Sequence, residues 1–210
     1  YLYQGNCVPF ETRTEVINVR GAASEILTVE RTVHGPVFAS GPGVRYSRKS
    51  VERNRELENG SAFLDINRAH NVQQFDQAIH RLVGSLNAVC ADRSGNIGYW
   101  RSGLMPVRPS GFDVRLPLPG DGSAEWTGVE QTVPSSINPV RGWLTSWNNR
   151  ATVDEEISER VDVGGKQQRV LDIEDRLRAG PISLADLKDI ESDIARIGKD
   201  RMIGRMKDFF

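Results

Sequence analysis

Apolar and polar residues partly alternate from Thr12 to Val19 and again from Glu25 to Val33. A two-residue period marks a strand with one covered face, so both runs are expected to be strands, joined by a turn that contains Gly21. Gly35-Pro36 interrupts the pattern and Val37-Phe38 resumes it; Gly41-Pro42-Gly43 is a further turn before Val44-Arg45-Tyr46.

The period then changes. Val72, Phe75, Ile79 and Leu82 share one face of a helix expected over Val72 to Val83. Asn71 is its N-cap, Gln74 the capping-box partner that reaches back, and Gly84 the stop. Leu86 to Ala91 and Ile97 to Arg101 read as a hairpin, with Asp92 to Asn96 as the turn and Gly95 free to take a positive φ. Met105 to Trp143 is rich in Pro and Gly and weak in periodicity; a connection this long inside a compact domain is usually functional. Gly142 to Trp147 reads as a strand leading into Asn148. Helical spacing returns after Lys166, most clearly at Leu184, Leu187, Ile190, Ile194 and Ile197 behind a Ser183 cap, and a last helix is expected over Arg201 to Phe210. A strand-rich run (1–150) before a helical one (166–210) gives an α+β class.

Composition removes several functions. A net charge of −1 offers no electrostatic reason to expect nucleic acid or an anionic membrane as partner. No apolar run approaches the roughly 20 residues that span a bilayer. Cys7 and Cys90 are expected as buried, unpaired thiols rather than a disulfide. The three histidines (His34, His70, His80) are scattered, no zinc-ligand spacing occurs, and no glycine-rich phosphate cradle is found. The chain opens on Tyr1 rather than Met, so it is expected to be processed or truncated, and the missing signal peptide says nothing of compartment.

Candidate chemistry comes from ordered blocks. Arg31-Thr-Val-His34-Gly35-Pro36-Val37 is followed by Asn87-Ala-Val-Cys-Ala-Asp92, then by Gly95-Asn96-Ile97-Gly98-Tyr99. Next come Ser110-Gly-Phe-Asp113-Val-Arg115-Leu-Pro-Leu-Pro-Gly120, Trp126-Thr-Gly128 and Trp147-Asn148-Asn149. In this order and at these intervals the blocks resemble the β chain of the penicillin acylase family, N-terminal-nucleophile hydrolases that cleave amide bonds. The resemblance implies a four-layer αββα sandwich, incomplete in this chain. It implies a catalytic serine that begins the β chain, its own α-amine acting as base, and that serine is expected to precede Tyr1. The 210 residues are thus expected to be an internal fragment of the β-chain catalytic domain. Its partners would be the remaining α-chain and β-chain segments and a small-molecule amide. A periplasmic or extracellular location is implied in the same way.

Residue by residue, the resemblance makes Asn148 the oxyanion donor. An uncharged amide stabilises a developing negative oxygen without being neutralised beforehand; the competing reading is a turn residue that ends a strand. Arg169 would stand near the nucleophile at the start of the following helix and orient the asparagine and substrate, or else be an exposed helix arginine. Phe63 falls where the family has a tryptophan in the acyl-pocket wall, and Leu86 where it has an isoleucine; ordinary core packing is the alternative for both. No cofactor is implied for the chemistry. A structural calcium is implied for the complete parent, with the Val114 carbonyl and Glu159 as its ligands from this chain, Asp154 competing with Glu159. His34 reads as a histidine packed at a strand–turn junction, because the self-activating serine needs no histidine. The expected function is hydrolysis of a linear N-acyl amide: the side-chain amide of a β-lactam, an N-acyl amino acid or an acyl-homoserine lactone. The alternative is a non-catalytic β-rich scaffold or binding module.

Overall fold

The computed structural model describes residues 1–131, 133–146, 151–152 and 166–193, without the side chains of 166–169. The elements run β1 (Leu2–Tyr3), β2 (Asn6–Cys7), β3 (Glu11–Ile17), β4 (Glu25–Thr32), β5 (Gly35–Gly41), β6 (Val44–Ser47), α1 (Glu56–Arg68) and α2 (Val72–Ile79). They continue with β7 (Asn87–Ala91), β8 (Ile97–Arg101), β9 (Met105–Val107), β10 (Gly128–Glu130), β11 (Ser135–Ile137) and α3 (Lys166–Arg178), and residues 184–193 are helical too. Helices beside separate antiparallel sheets make the chain α+β.

The chain divides into two compact units. The first holds Tyr1–Glu56 and Leu104–Glu130. Its main sheet has the order β3-β4-β5-β6, with β1-β2 and β9-β10 as separate pairs. The β3–β4 ladder pairs Glu11 with Arg31 through Ile17 with Glu25. The strand expected as far as Val19 stops at Ile17, because Asn18 and Val19 are spent on the turn. Asn18 Oδ1 accepts from Ser24 Oγ at 2.9 Å, and the Val19 carbonyl accepts from the Ala22 N–H at 3.2 Å.

The second unit holds Leu57–Gly103 and the described residues from Gln131 onward. Its three-stranded sheet has the order β11-β8-β7, and Asn87↔Arg101 through Ala91↔Ile97 set the expected hairpin. The Asp92 carboxylate builds the turn, accepting from the Ser94 N–H at 2.9 Å and the Asn96 N–H at 3.0 Å, and Gly95 has φ +85°. Trp100 is fully buried with Val72, Ile79, Leu82 and Ala62 around it. Phe75 packs on its ring at 4.9 Å, and its indole N–H donates to Asp76 Oδ1 at 2.6 Å. Gly98 makes that rotamer fit, since a Cβ there would stand 2.0 Å from the ring.

Several expectations need correction. Asn71 does cap α2, its side chain accepting from the Gln74 N–H at 2.8 Å, but the Gln74 side chain accepts from the His70 N–H rather than that of Asn71. The helix ends at Ile79 with His80 as C-cap, not at Gly84. Leu82 stays in the core because tighter turns, Arg81 N–H to Ala78 and Leu82 N–H to Ile79, extend the winding past the last helical residue. The strand expected from Gly142 is absent through Ser146, where the backbone is irregular; Trp147 lies outside the described residues. Both cysteines are free, but Cys7 is exposed and Cys90 only half-buried.

Candidate functional site

α1 carries Phe63 and is a helix absent from the expectations above. Asn59-Gly60 has turn chemistry, and a helical glycine costs about 1 kcal/mol relative to alanine. The signal was present at the spacing of four residues between Ala62 and Ile66, which face the core beside Trp100. Tertiary contact decides in favour of the helix. Asn59 Oδ1 accepts from the N–H groups of both Val83 and Gly84, each at 2.9 Å. The residue that looks like a turn former is therefore a bridge from α1 to the segment that follows α2.

Leu86 sits at the end of that segment and packs against the Trp100 cluster. Ser102 grips it. Ser102 is completely buried, and its N–H donates to the Leu86 carbonyl at 2.9 Å. Its hydroxyl donates to the Gly84 carbonyl at 3.1 Å and accepts from the Leu86 N–H at 3.3 Å. Gly103 completes the grip: it has φ +105°, and a Cβ would lie 2.8 Å from the Ser85 backbone. Residues 83–86 are thus held between α1 and the exit of β8, and the second unit brings Phe63 and Leu86 into one framework. Phe63 is 45% exposed on the helix that supplies the bridge. Exposure alone does not single it out, since Leu57 (92%) and Leu64 (58%) of the same helix are more open.

The remaining predicted residues are placed unevenly. Arg169 lies in the first turn of α3, at the helix start, and its side chain is outside the described set. Asn148, Glu159 and Asp154 lie outside the described residues altogether. Val114 is half-buried in a turn of the first unit, closed by the Leu116 N–H on the Asp113 carbonyl at 3.1 Å. The Asp113 carboxylate beside it is occupied by the Arg115 guanidinium at 2.8 and 2.7 Å. Those side-chain bonds hold Asp113 down to about 2. Among the described residues no three acidic, histidine or cysteine side chains gather to hold a metal. One carbonyl next to an already paired carboxylate does not fit a calcium ion on its own, since the ion takes six to eight oxygens as a rule.

His34 occupies the turn between β4 and β5, as a packed residue: its side chain is 12% exposed, pairs with Glu125, and meets the Tyr3 ring edge-on at 5.6 Å. Sequence reading missed its partners. Lys49 pairs with the other oxygen of Glu125 and lies 4.7 Å from the centre of the Trp126 ring. Burial pushes the Glu125 carboxyl up, but bonds and charge from Lys49 and His34 outweigh it and leave the group below its ordinary value. A histidine tied to a carboxylate that is itself tied to a lysine is a structural cross-link. Burial first, and then the Asp92 charge, raise the Cys90 thiol, which argues against a nucleophile there.

No described helix is long and apolar enough to cross a membrane. The sequence profile of the penicillin amidase family matches residues 1–208. Penicillin G acylase of Escherichia coli is 32% identical over 191 residues, which are 89% of this chain and 23% of that protein. Acyl-homoserine lactone acylase QuiP of Pseudomonas syringae pv. tomato is 34% identical over 158 residues, covering 71% of this chain and 19% of the relative. A solved structure of the thermostable penicillin G acylase from Alcaligenes faecalis superposes with a TM-score of 0.83 at 30% identity, over 92% of this chain and 36% of that one. The chain thus spans about a fifth to a third of the relatives it matches.

Proposed function

The chain belongs to the penicillin amidase family, and from that premise we propose that it is the oxyanion-bearing part of a larger amidohydrolase that cleaves linear N-acyl amides. The observation that carries this reading is the family match across residues 1–208, which takes in Trp147-Asn148-Asn149 in order with the upstream blocks. The nucleophile is an N-terminal serine on a segment outside these residues, and its α-amine is the base. The Asn148 amide donates to the tetrahedral oxyanion, and Arg169 orients asparagine and substrate. What supports that role is the place of Arg169 in the first turn of α3, where the family resemblance expects it.

Phe63 and Leu86 form part of the acyl-pocket wall. Their support is the framework that joins α1 to residues 83–86. Apolar walls select an acyl group by burial, at roughly 25 cal/mol per Å². The matched relatives carry names of acylases for penicillin G and for acyl-homoserine lactones, and both substrates are acyl amides. The wider αββα sandwich, a structural calcium completed by other segments around Val114 and Glu159, and a periplasmic or extracellular location belong to the same proposal.

The test is Asn148→Ala in the complete, processed enzyme. The acylation rate should fall about 100- to 1000-fold with little loss of substrate binding, as deletion of one oxyanion donor does. Near-normal turnover on a chromogenic acyl anilide would remove Asn148 from the mechanism.

A further inference from the structure

Ser102 is the one buried polar residue among the described residues, and every bond recorded for its side chain goes to the backbone of Gly84 or Leu86. Asn59 bonds to the same segment and satisfies two successive N–H groups with one oxygen. Buried or half-buried backbone groups need partners, so neither contact can be dropped without the segment moving or leaving a group unpaired. Asn59 also lies four residues before Phe63 on α1, which places the two on neighbouring turns of one face. Gly103 removes the slack on the β8 side, because only a residue without Cβ lets that backbone approach Ser85.

We propose that Asn59 and Ser102 are positioning residues for acyl selection, setting the distance between the Phe63 and Leu86 walls. The proposal rests on the reading of those two side chains as pocket wall. Neither Asn59 nor Ser102 needs to touch substrate. Asn59 fixes where the chain leaves α2 relative to α1, and Ser102 fixes the height at which Leu86 enters β7. A wall that shifts by a fraction of a methylene alters which acyl group fills the pocket without altering the reacting atoms. The effect therefore belongs to binding of the acyl group rather than to the rate of the chemical step.

The experiment uses the complete processed enzyme and two chromogenic anilides, one phenylacetyl and one butanoyl. The readout is the ratio of their kcat/KM values from one enzyme stock, in which the fraction of folded enzyme cancels. Ser102→Ala and Asn59→Ala should each move this ratio about three- to tenfold, mainly through KM, since a single methylene in an apolar pocket changes selection by 10-fold or more. Asn59→Asp, which keeps the accepting oxygen, should restore most of the wild-type ratio. Phe63→Ala and Leu86→Ala are run beside them and should move the ratio at least as far. If the wall variants shift it while Ser102→Ala and Asn59→Ala lower only thermal stability, the positioning role is overturned and the wall stands. If the wall variants themselves leave the ratio unchanged, the pocket reading fails and this proposal falls with it.

Discussion

Around Trp100 the second unit buries Ala62, Val72, Ile79 and Leu82, whereas the first unit, among the described residues, buries one hydrophobic side chain, Leu104. Both units contain antiparallel hairpins. In the second, the hairpin lies on a helix, and the indole of β8 fills the space between them. In the first, β3 and β4 have no fully buried position at all, and Ile26 is 74% exposed. Its directional contacts are the Arg45–Glu30 pair at 3.2 Å, the tilted Tyr1 and Phe10 rings at 5.2 Å, and the His34–Glu125–Lys49 cross-link. Burial is insensitive to pH; ionic cross-links are not. The two units should therefore fail under different conditions.

The strongest blow to this comparison would come at Trp100. Trp100→Ala should destabilise the chain by about 3–5 kcal/mol, the range for deleting a large buried aromatic. Denaturant unfolding followed by circular dichroism measures it, and a loss under about 1 kcal/mol would mean the second unit has no dominant core.

An intermediate effect is expected at Glu125. Its folded-state pKa lies below the ordinary 4.5, so its stabilising contribution is present above that value and is lost as pH falls through the folded pKa. Wild type should be more stable than Glu125→Gln at neutral pH, and the gap should close as pH drops below 4.5. The deficit of Leu82→Ala, an apolar side chain in the same core as Trp100, should stay constant over the same range. Thermal melts of the three proteins between neutral and acid pH separate the two behaviours; a pH-independent gap for Glu125→Gln would show that Lys49 and His34 contribute nothing through charge.

The smallest change should follow Ile26→Thr, within about 0.5 kcal/mol, as for other exposed positions. The substitution also sharpens the contrast. A cost comparable to that of Trp100→Ala would mean that this face of the β3–β4 hairpin is covered in solution.

Much of the local structure was legible in the order of residues. The β7–β8 hairpin, its Asp92–Asn96 turn, the Asn71 cap and the β3–β4 pair are short-range features, fixed by residues within a few positions of one another. The family is legible too, because its blocks keep their order and spacing. What the pattern could not supply was any feature whose decisive partner is distant in the chain. α1 was hidden because Asn59-Gly60 resembles a turn until Val83 and Gly84, 24 and 25 residues later, give the asparagine something to bind. The α2 end was misplaced for the same reason, since side-chain acceptance by Asn59 replaces the helical bonds that a Gly84 stop would have ended. Glu125 stands 91 residues from His34 and 76 from Lys49, so the cross-link carried no local signal. Local propensity is settled by neighbours in sequence. The choice among turn, helix and cross-link at Asn59, Ser102 and Glu125 is settled by which backbone or charged group the folded chain brings within hydrogen-bond reach, and that only tertiary structure decides.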